Sequence, residues 1–292
     1  MSIEKEWDGF EQDKSVCISQ NELSEVYKVK KQYSRIHFLT ELPAKENEND
    51  EKKVLLYRYI RYKYAKSILD NEDPYLIFST PENWEDPYEK RFFKGKYDIT
   101  GSEKYRVKPL AMMCVTTNAS ENEAASWLMY DRERKNDVVQ LTFDFDELLR
   151  ILNDFAVSKN VDVYVSKVEY VSREELDKHE NIRERVKNGM TDEVFMNLMC
   201  LKRKSFKFEG EIRFSIYGDG LDIKDNMLKI GLEKRNNLVK QIKVHPDDGV
   251  NSVSKDFLQN LYGDKYNIIR SRLYDEKSTF SLKIGDVSAR RN

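Results

Sequence analysis

The chain has 292 residues, 39% hydrophobic and 35% charged, enough for one large domain or two small ones with a real core. Its 50 basic and 52 acidic residues leave a formal charge of -2, so no overall basic field announces nucleic acid, although a local basic patch is compatible with that balance. Cys17, Cys114 and Cys200 lack C-x-x-C spacing, and His37, His179 and His245 are scattered, which argues against a zinc site and a disulfide framework. The acidic, polar start is not a signal peptide, no apolar run approaches the roughly 20 residues of a membrane helix, and there is no P-loop or G-x-G-x-x-G. The expectation is a protein of a reducing cytoplasm with no membrane partner, in which Cys114 and Cys200 are inert core residues.

Residues 1–53 read as an N-terminal lead-in, with a helix over 24–33, and a polar linker over 42–53. Residues 54–292 read as one α+β domain. A strand over 54–60 carries Arg58 on the face of Leu56 and Ile60, where a guanidinium is costly unless it is paired, binds an anion or snorkels. A helix over 62–71 and a strand over 75–79 follow, then an irregular loop through Thr80, Pro81 and Glu85-Asp86-Pro87-Tyr88-Glu89. After a strand over 111–116, Asn118-Ala119-Ser120 caps a helix. Its Trp127 and Tyr130 share a face, a pair more often core than ligand platform. Next come a strand over 138–143, a helix opening at 144–147, a long strand over 161–170, a charged helical region over 172–188 and a helix over 191–203. That helix ends in Lys202-Arg203-Lys204, which suits its C-terminal dipole or, more sharply, contacts phosphate. Strands over 239–244 and 268–273 flank a helix over 252–262, before a basic tail.

Residues 206–217 alternate with period two. As one strand they set Phe206, Phe208, Gly210, Ile212, Phe214 and Ile216 on an apolar face and Lys207, Glu209, Glu211 and Arg213 on the other. In isolation, Glu-x-Glu-x-Arg is an edge strand facing water. The motifs upstream give it another meaning.

Tyr57-Arg58-Tyr59, Phe78-Ser79-Thr80-Pro81, Glu85-Asp86-Pro87-Tyr88-Glu89, Cys114-Val115-Thr116, Trp127-Leu128-Met129-Tyr130 and Glu209-Gly210-Glu211-Ile212-Arg213 occur in that order. In this order the chain resembles the bacterial domain-of-unknown-function family numbered twenty-nine seventy-one, over residues 54 to 245. It departs from that pattern at Glu85, where asparagine is usual, and at Val115 and Thr116, where phenylalanine and serine are. The order Arg, Ser-Thr, Glu-x-Glu also resembles the arginine-type ADP-ribosyltransferases. That resemblance implies split antiparallel sheets with flanking helices and a cleft between them. It also implies NAD as substrate and transfer of ADP-ribose to a macromolecule.

On this resemblance Glu211, Glu209 and Arg58 are the catalytic candidates. Glu211 stabilises the oxocarbenium-like charge, and Glu209 positions or deprotonates the acceptor. Arg58, Tyr59, Ser79, Thr80, Trp127 and Tyr130 bind NAD, and no metal is expected. The family implies a toxin-like effector of anti-phage defence or of a toxin–antitoxin pair, with an antitoxin or regulatory protein as partner. Lys202-Arg203-Lys204 beside Phe206 and Phe208 favours RNA or DNA over protein as acceptor. Two alternatives stay open: a metal-dependent nuclease drawing oxygen ligands from Asp86, Glu89, Glu209 and Glu211, and a non-enzymatic binding module. The pairing of Arg213 decides how free Glu211 is.

Overall fold

A computed structural model describes residues 33–42, 45–46, 52–69, 72–95, 105–117, 123–131, 137–234, 236–247 and 253–275. The helix expected over 24–33 (but for its last residue, which is not helical), the Asn118–Ser120 cap, Cys17 and the C-terminal tail lie outside these residues. Among the described residues, ten strands form one mixed sheet. Numbered in chain order, its main path runs β1 (Ile36–Phe38), β8 (Asp162–Lys167), β11 (Glu211–Tyr217), β6 (Leu110–Thr116), β4 (Leu55–Arg61), β7 (Val138–Asp144), β13 (Val239–Val244) and β14 (Asn267–Arg270). The outermost pairs, β1 with β8 and β13 with β14, are parallel, and the pairs between them are antiparallel. No helix among the described residues is long and apolar enough to cross a membrane.

The sheet branches at β6. One edge of β6 pairs with β11 along its whole length. The other meets β5 (Tyr75–Ser79) at Met112 and β4 at Thr116, and β5 in turn carries β12 (Met227–Gly231). Arg58 fills the wedge between the branches and donates to the Ile77 carbonyl of β5 at 3.3 Å.

Register sorts the two faces. Glu211, Thr116 and Tyr57 stand opposite one another, as do Arg213, Cys114 and Ser166, so these six share a face. Ile212, Phe214, Ile216, Met113, Val115, Leu56 and Leu141 belong to the main core. Each such side chain contributes about 1.5–3 kcal/mol by leaving water. On that core lies helix α4 (Phe145–Lys159), with an apolar stripe of Leu148, Leu149, Leu152 and Ala156, an Asp144 cap and left-handed Asn160 at its end. On the site face two smaller clusters stand apart. One holds Phe195, Leu198 and Met199 of α7 (Asp192–Met199) with Met112 and Tyr217, and the other holds Tyr59, Trp127 and Val138.

Several expected elements are redrawn. Residues 206–217 are not one strand. A 3-10 helix covers Lys204–Glu209, Gly210 turns through a left-handed conformation (φ 50°, ψ 44°), and the strand begins at Glu211. Phe206 supplies the reason, because its ring sits under the cations of Lys202 and Arg203 instead of in a sheet face. The basic triplet does not end a helix: α7 stops at Met199, and β10 (Leu201–Arg203) pairs in parallel with β9 (Glu169–Val171). The long strand over 161–170 is therefore two, β8 and β9, interrupted at Val168. The charged region divides into Arg173–Asp177 and His179–Arg185. The loop after β5 folds at Pro87 into α2 (Pro87–Phe93), capped by Asp86. Within the expected linker, Lys45–Glu46 pairs with Lys52–Lys53, and the lead-in supplies β1 at the sheet edge.

Candidate active site

The site lies on the face shared by Glu211 and Arg213, where the two small apolar clusters leave a gap. Arg213 is 1% and Glu211 5% exposed, in a central strand where an unpaired charge costs several kcal/mol. They pair with each other. Arg213 Nε donates to Glu211 Oε1 at 2.7 Å and Nη2 to Oε2 at 3.3 Å, while the same guanidinium reaches Glu89 and the Met199 carbonyl. Trp84 lies under that guanidinium at 4.5 Å.

A second cation enters from β10. Lys202 Nζ contacts Glu209 at 2.6 Å, Glu211 at 2.9 Å and Glu89 at 3.6 Å, and it lies over the Phe206 ring. Gly210 makes this possible, because its left-handed turn returns Glu209 toward Glu211. Asp86 accepts from the Tyr88 N–H at 2.9 Å and from Arg203 Nε at 3.1 Å, which fixes the start of α2 and so aims Glu89 inward.

The two neighbouring carboxyls are shifted in opposite directions. Burial alone would raise both. For Glu211 the Arg213 and Lys202 charges outweigh burial and hold the carboxyl well below the usual carboxylate range. For Glu209 burial dominates, Lys202 opposes it, and the Glu211 charge adds to it, so its carboxyl is pushed up to about 7. Burial works against the Lys202 ammonium, but Glu211, Glu89 and Glu209 together hold it protonated.

These groups line a cavity of about 400 Å³, within the range of small-molecule sites, whose walls include Trp84, Met129, Tyr130 and Phe206. Cys114 lines it too, so it is not simply a core residue; burial and the Glu211 charge push its thiol up, leaving it a poor nucleophile. Cys200 is buried, as expected.

The remaining candidates separate. Tyr59 and Arg58 line an adjoining cavity of about 20 Å³, room for roughly one water, which shares Cys114, Met129, Tyr130, Glu209 and Glu211 with the larger one. Arg58 Nη1 is buried there without a partner, and burial lowers the pKa of its guanidinium. Tyr130, on α3 (Glu123–Tyr130), stacks on Tyr59 at 5.8 Å and lines both cavities. Burial, Glu209 and Glu211 keep its phenol protonated. Trp127 is a core residue, not a platform: it is buried edge-on against Tyr59 and His245, and its indole donates to Glu123 at 3.1 Å. Ser79 and Thr80 line neither cavity. Ser79 is tied into the ladder between Met112 and Met227, and the Thr80 N–H donates to the Asn226 carbonyl at 3.0 Å.

Lys202, Glu89 and Trp84 take places in the site other than those read from the sequence: Lys202 binds carboxylates instead of phosphate, Glu89 binds Arg213 and Lys202, and Trp84 lies under Arg213. Glu89 and Arg213 stand 124 residues apart, so no local spacing announces their contact. Nor is the cluster a metal-ligand set: among the described residues no His, Cys, Asp and Glu group is arranged to hold an ion, and the carboxylates converge on Lys202 and Arg213 instead. Compared with known proteins, the chain matches no protein-family model, no curated protein and no solved structure, so the resemblance above rests on its motifs alone.

Proposed function

We propose that the chain is an NAD-dependent ADP-ribosyltransferase that cleaves the nicotinamide–ribose bond and transfers ADP-ribose to a macromolecular acceptor, RNA or DNA ahead of protein. One observation carries the reading. Two adjacent carboxyls share the Lys202 ammonium, and only Glu211 is also bound by Arg213, at the wall of a small-molecule cavity.

The work divides accordingly. Glu211, held ionised by Arg213 and Lys202, supplies negative charge as nicotinamide departs with the electron pair of the C–N bond. Glu209 takes the proton from the acceptor as its nucleophilic atom bonds to the ribose carbon. Because Glu211 is bound by two cations, Glu209 is the residue on which proton transfer rests. Tyr130 and Trp84 offer aromatic walls. Arg58 lines only the smaller cavity, which shares Met129 and Tyr130 with the larger one. The passage of the β6 edge from β5 to β4 supports a split-sheet fold, and the motif order supports a toxin-like effector of bacterial defence or of a toxin–antitoxin pair.

The pairing of each inner carboxylate with Lys202 or Arg213 favours a second reading, a non-enzymatic binding module with a structural ion cluster. Nicotinamide release from NAD by the wild type and by Glu209→Gln separates the two. Release that the variant loses supports the transferase, and no release from either supports the binding module.

A further inference from the structure

We propose that Lys202 is the positioning residue of this site, a built-in cation that fixes the Glu209 and Glu211 carboxyls side by side. Its catalytic meaning rests on the transferase reading; its geometry does not.

Three carboxylates from separate elements converge on one ammonium: Glu89 of α2, Glu209 of the 3-10 helix and Glu211 of β11. The lysine side chain is only 9% exposed and is closed over by Phe206. A surface lysine beside acids would be solvated and mobile; this one has exchanged its water for carboxylates. Glu211 has a second cation in Arg213, whereas Lys202 is the one cation with a hydrogen bond to Glu209 among the described contacts. The asymmetry follows. Of two carboxyls on one ammonium, the one with the additional guanidinium stays ionised, and the other holds the proton.

The charged and titratable groups that line the two cavities with Glu209 are Lys202 and Arg203 of β10, Glu211 and Arg213 of β11, Glu85 and Asp86 before α2, Glu89 of α2, Cys114 of β6, Tyr130 of α3 and Tyr57, Arg58 and Tyr59 of β4, and Tyr170 of β9 also feels the Glu209 charge. Arg203 is committed to Asp86, Arg213 binds Glu211 and Glu89, and Arg58 makes no hydrogen bond to Glu209, its Nη2 donating to the β5 carbonyl of Ile77. The cation that governs Glu209 is therefore Lys202.

The test is NMR titration of the full chain carrying carboxyl-13C glutamate and 15N lysine, with Glu209 assigned by its loss in Glu209→Gln. In the wild type, Glu209 is expected to titrate near neutral pH, with the Lys202 Nζ resonance moving through the same midpoint. In Lys202→Met the Glu209 midpoint rises by about 1–3 pH units, the effect of losing a close opposite charge. Lys202→Arg, which keeps the charge, stays near the wild-type midpoint.

A lysine resonance that stays flat while Glu209 titrates overturns the proposal, and this needs no change at Lys202. So does an unmoved Glu209 midpoint in folded Lys202→Met. Nicotinamide release is assayed separately. Its absence alongside the shared titration removes the NAD reading and leaves the role of Lys202 standing.

Discussion

Arg213 donates to Glu211 at 2.7 Å from two positions further along the same buried strand, so the two residues neutralise each other inside the sheet face that builds the site. Removing the Glu211 charge leaves Arg213 with Glu89 as its remaining carboxylate, beside the Met199 carbonyl. Glu211→Gln therefore lowers stability by about 1.5–3 kcal/mol, the worth of a hydrogen bond to a charged group, in addition to any loss of activity. Urea denaturation checks this: the midpoint falls while the slope stays the same. An unchanged midpoint means that Glu211 is not the structural partner of Arg213.

Glu209→Gln behaves differently. Glutamine matches the shape of the protonated carboxyl that Glu209 already favours below about pH 7, so the fold is kept. Nicotinamide release falls by about 100- to 10,000-fold, the usual contribution of a general acid–base group. A stable variant with wild-type turnover removes Glu209 from the chemistry.

Stability depends on pH through the same residue, and the sign is fixed by the direction of its shift. Glu209 is raised from 4.5 to about 7 on folding, so between these values the folded chain binds more protons than the unfolded one. This contribution is fully present below 4.5 and is lost as pH rises through about 7. Glu211 acts oppositely: its depressed value contributes stability above the ordinary carboxylate range that is lost on strong acidification. Denaturation at pH 5, 6 and 7 checks the Glu209 term. The wild type is expected to lose ground to Glu209→Gln as pH rises, and a constant difference contradicts the assignment.

Gly210 joins the two glutamates through a left-handed conformation at φ 50°. Gly210→Ala costs about 1–2 kcal/mol in backbone strain. It also displaces Glu209 from Lys202, so the Glu209 midpoint and the turnover change by more than the stability loss explains. Carboxyl NMR and nicotinamide release on the folded variant check this; a small stability loss with both readouts unchanged would show that the turn does not set the geometry.

The order of strands and helices was legible wherever a segment buries one face, as in α4 with its Leu148, Leu152 and Ala156 stripe, or β4 and β7. Periodicity failed at 206–210, because Phe206 and Phe208 alternate as a strand would while Phe206 in fact serves two cations from neighbouring β10. Glu209, Glu211 and Arg213 were legible as one cluster. Lys202 was not, because a lysine near a helix end has an ordinary explanation and its three partners, Glu89, Glu209 and Glu211, come from other elements. Trp127 and Ser79 matched motif positions but point into core and ladder, which only the packing against Tyr59 and the Met112 register reveals.

The most direct measurement uses NAD labelled in its adenylate phosphate, incubated with cell lysate and either wild type or Glu209→Gln, then separated into protein, RNA and DNA. The account predicts label in one macromolecular fraction with the wild type, most readily a nucleic acid, and its loss with the variant. Equal labelling by both proteins, or none by the wild type in any fraction, contradicts it.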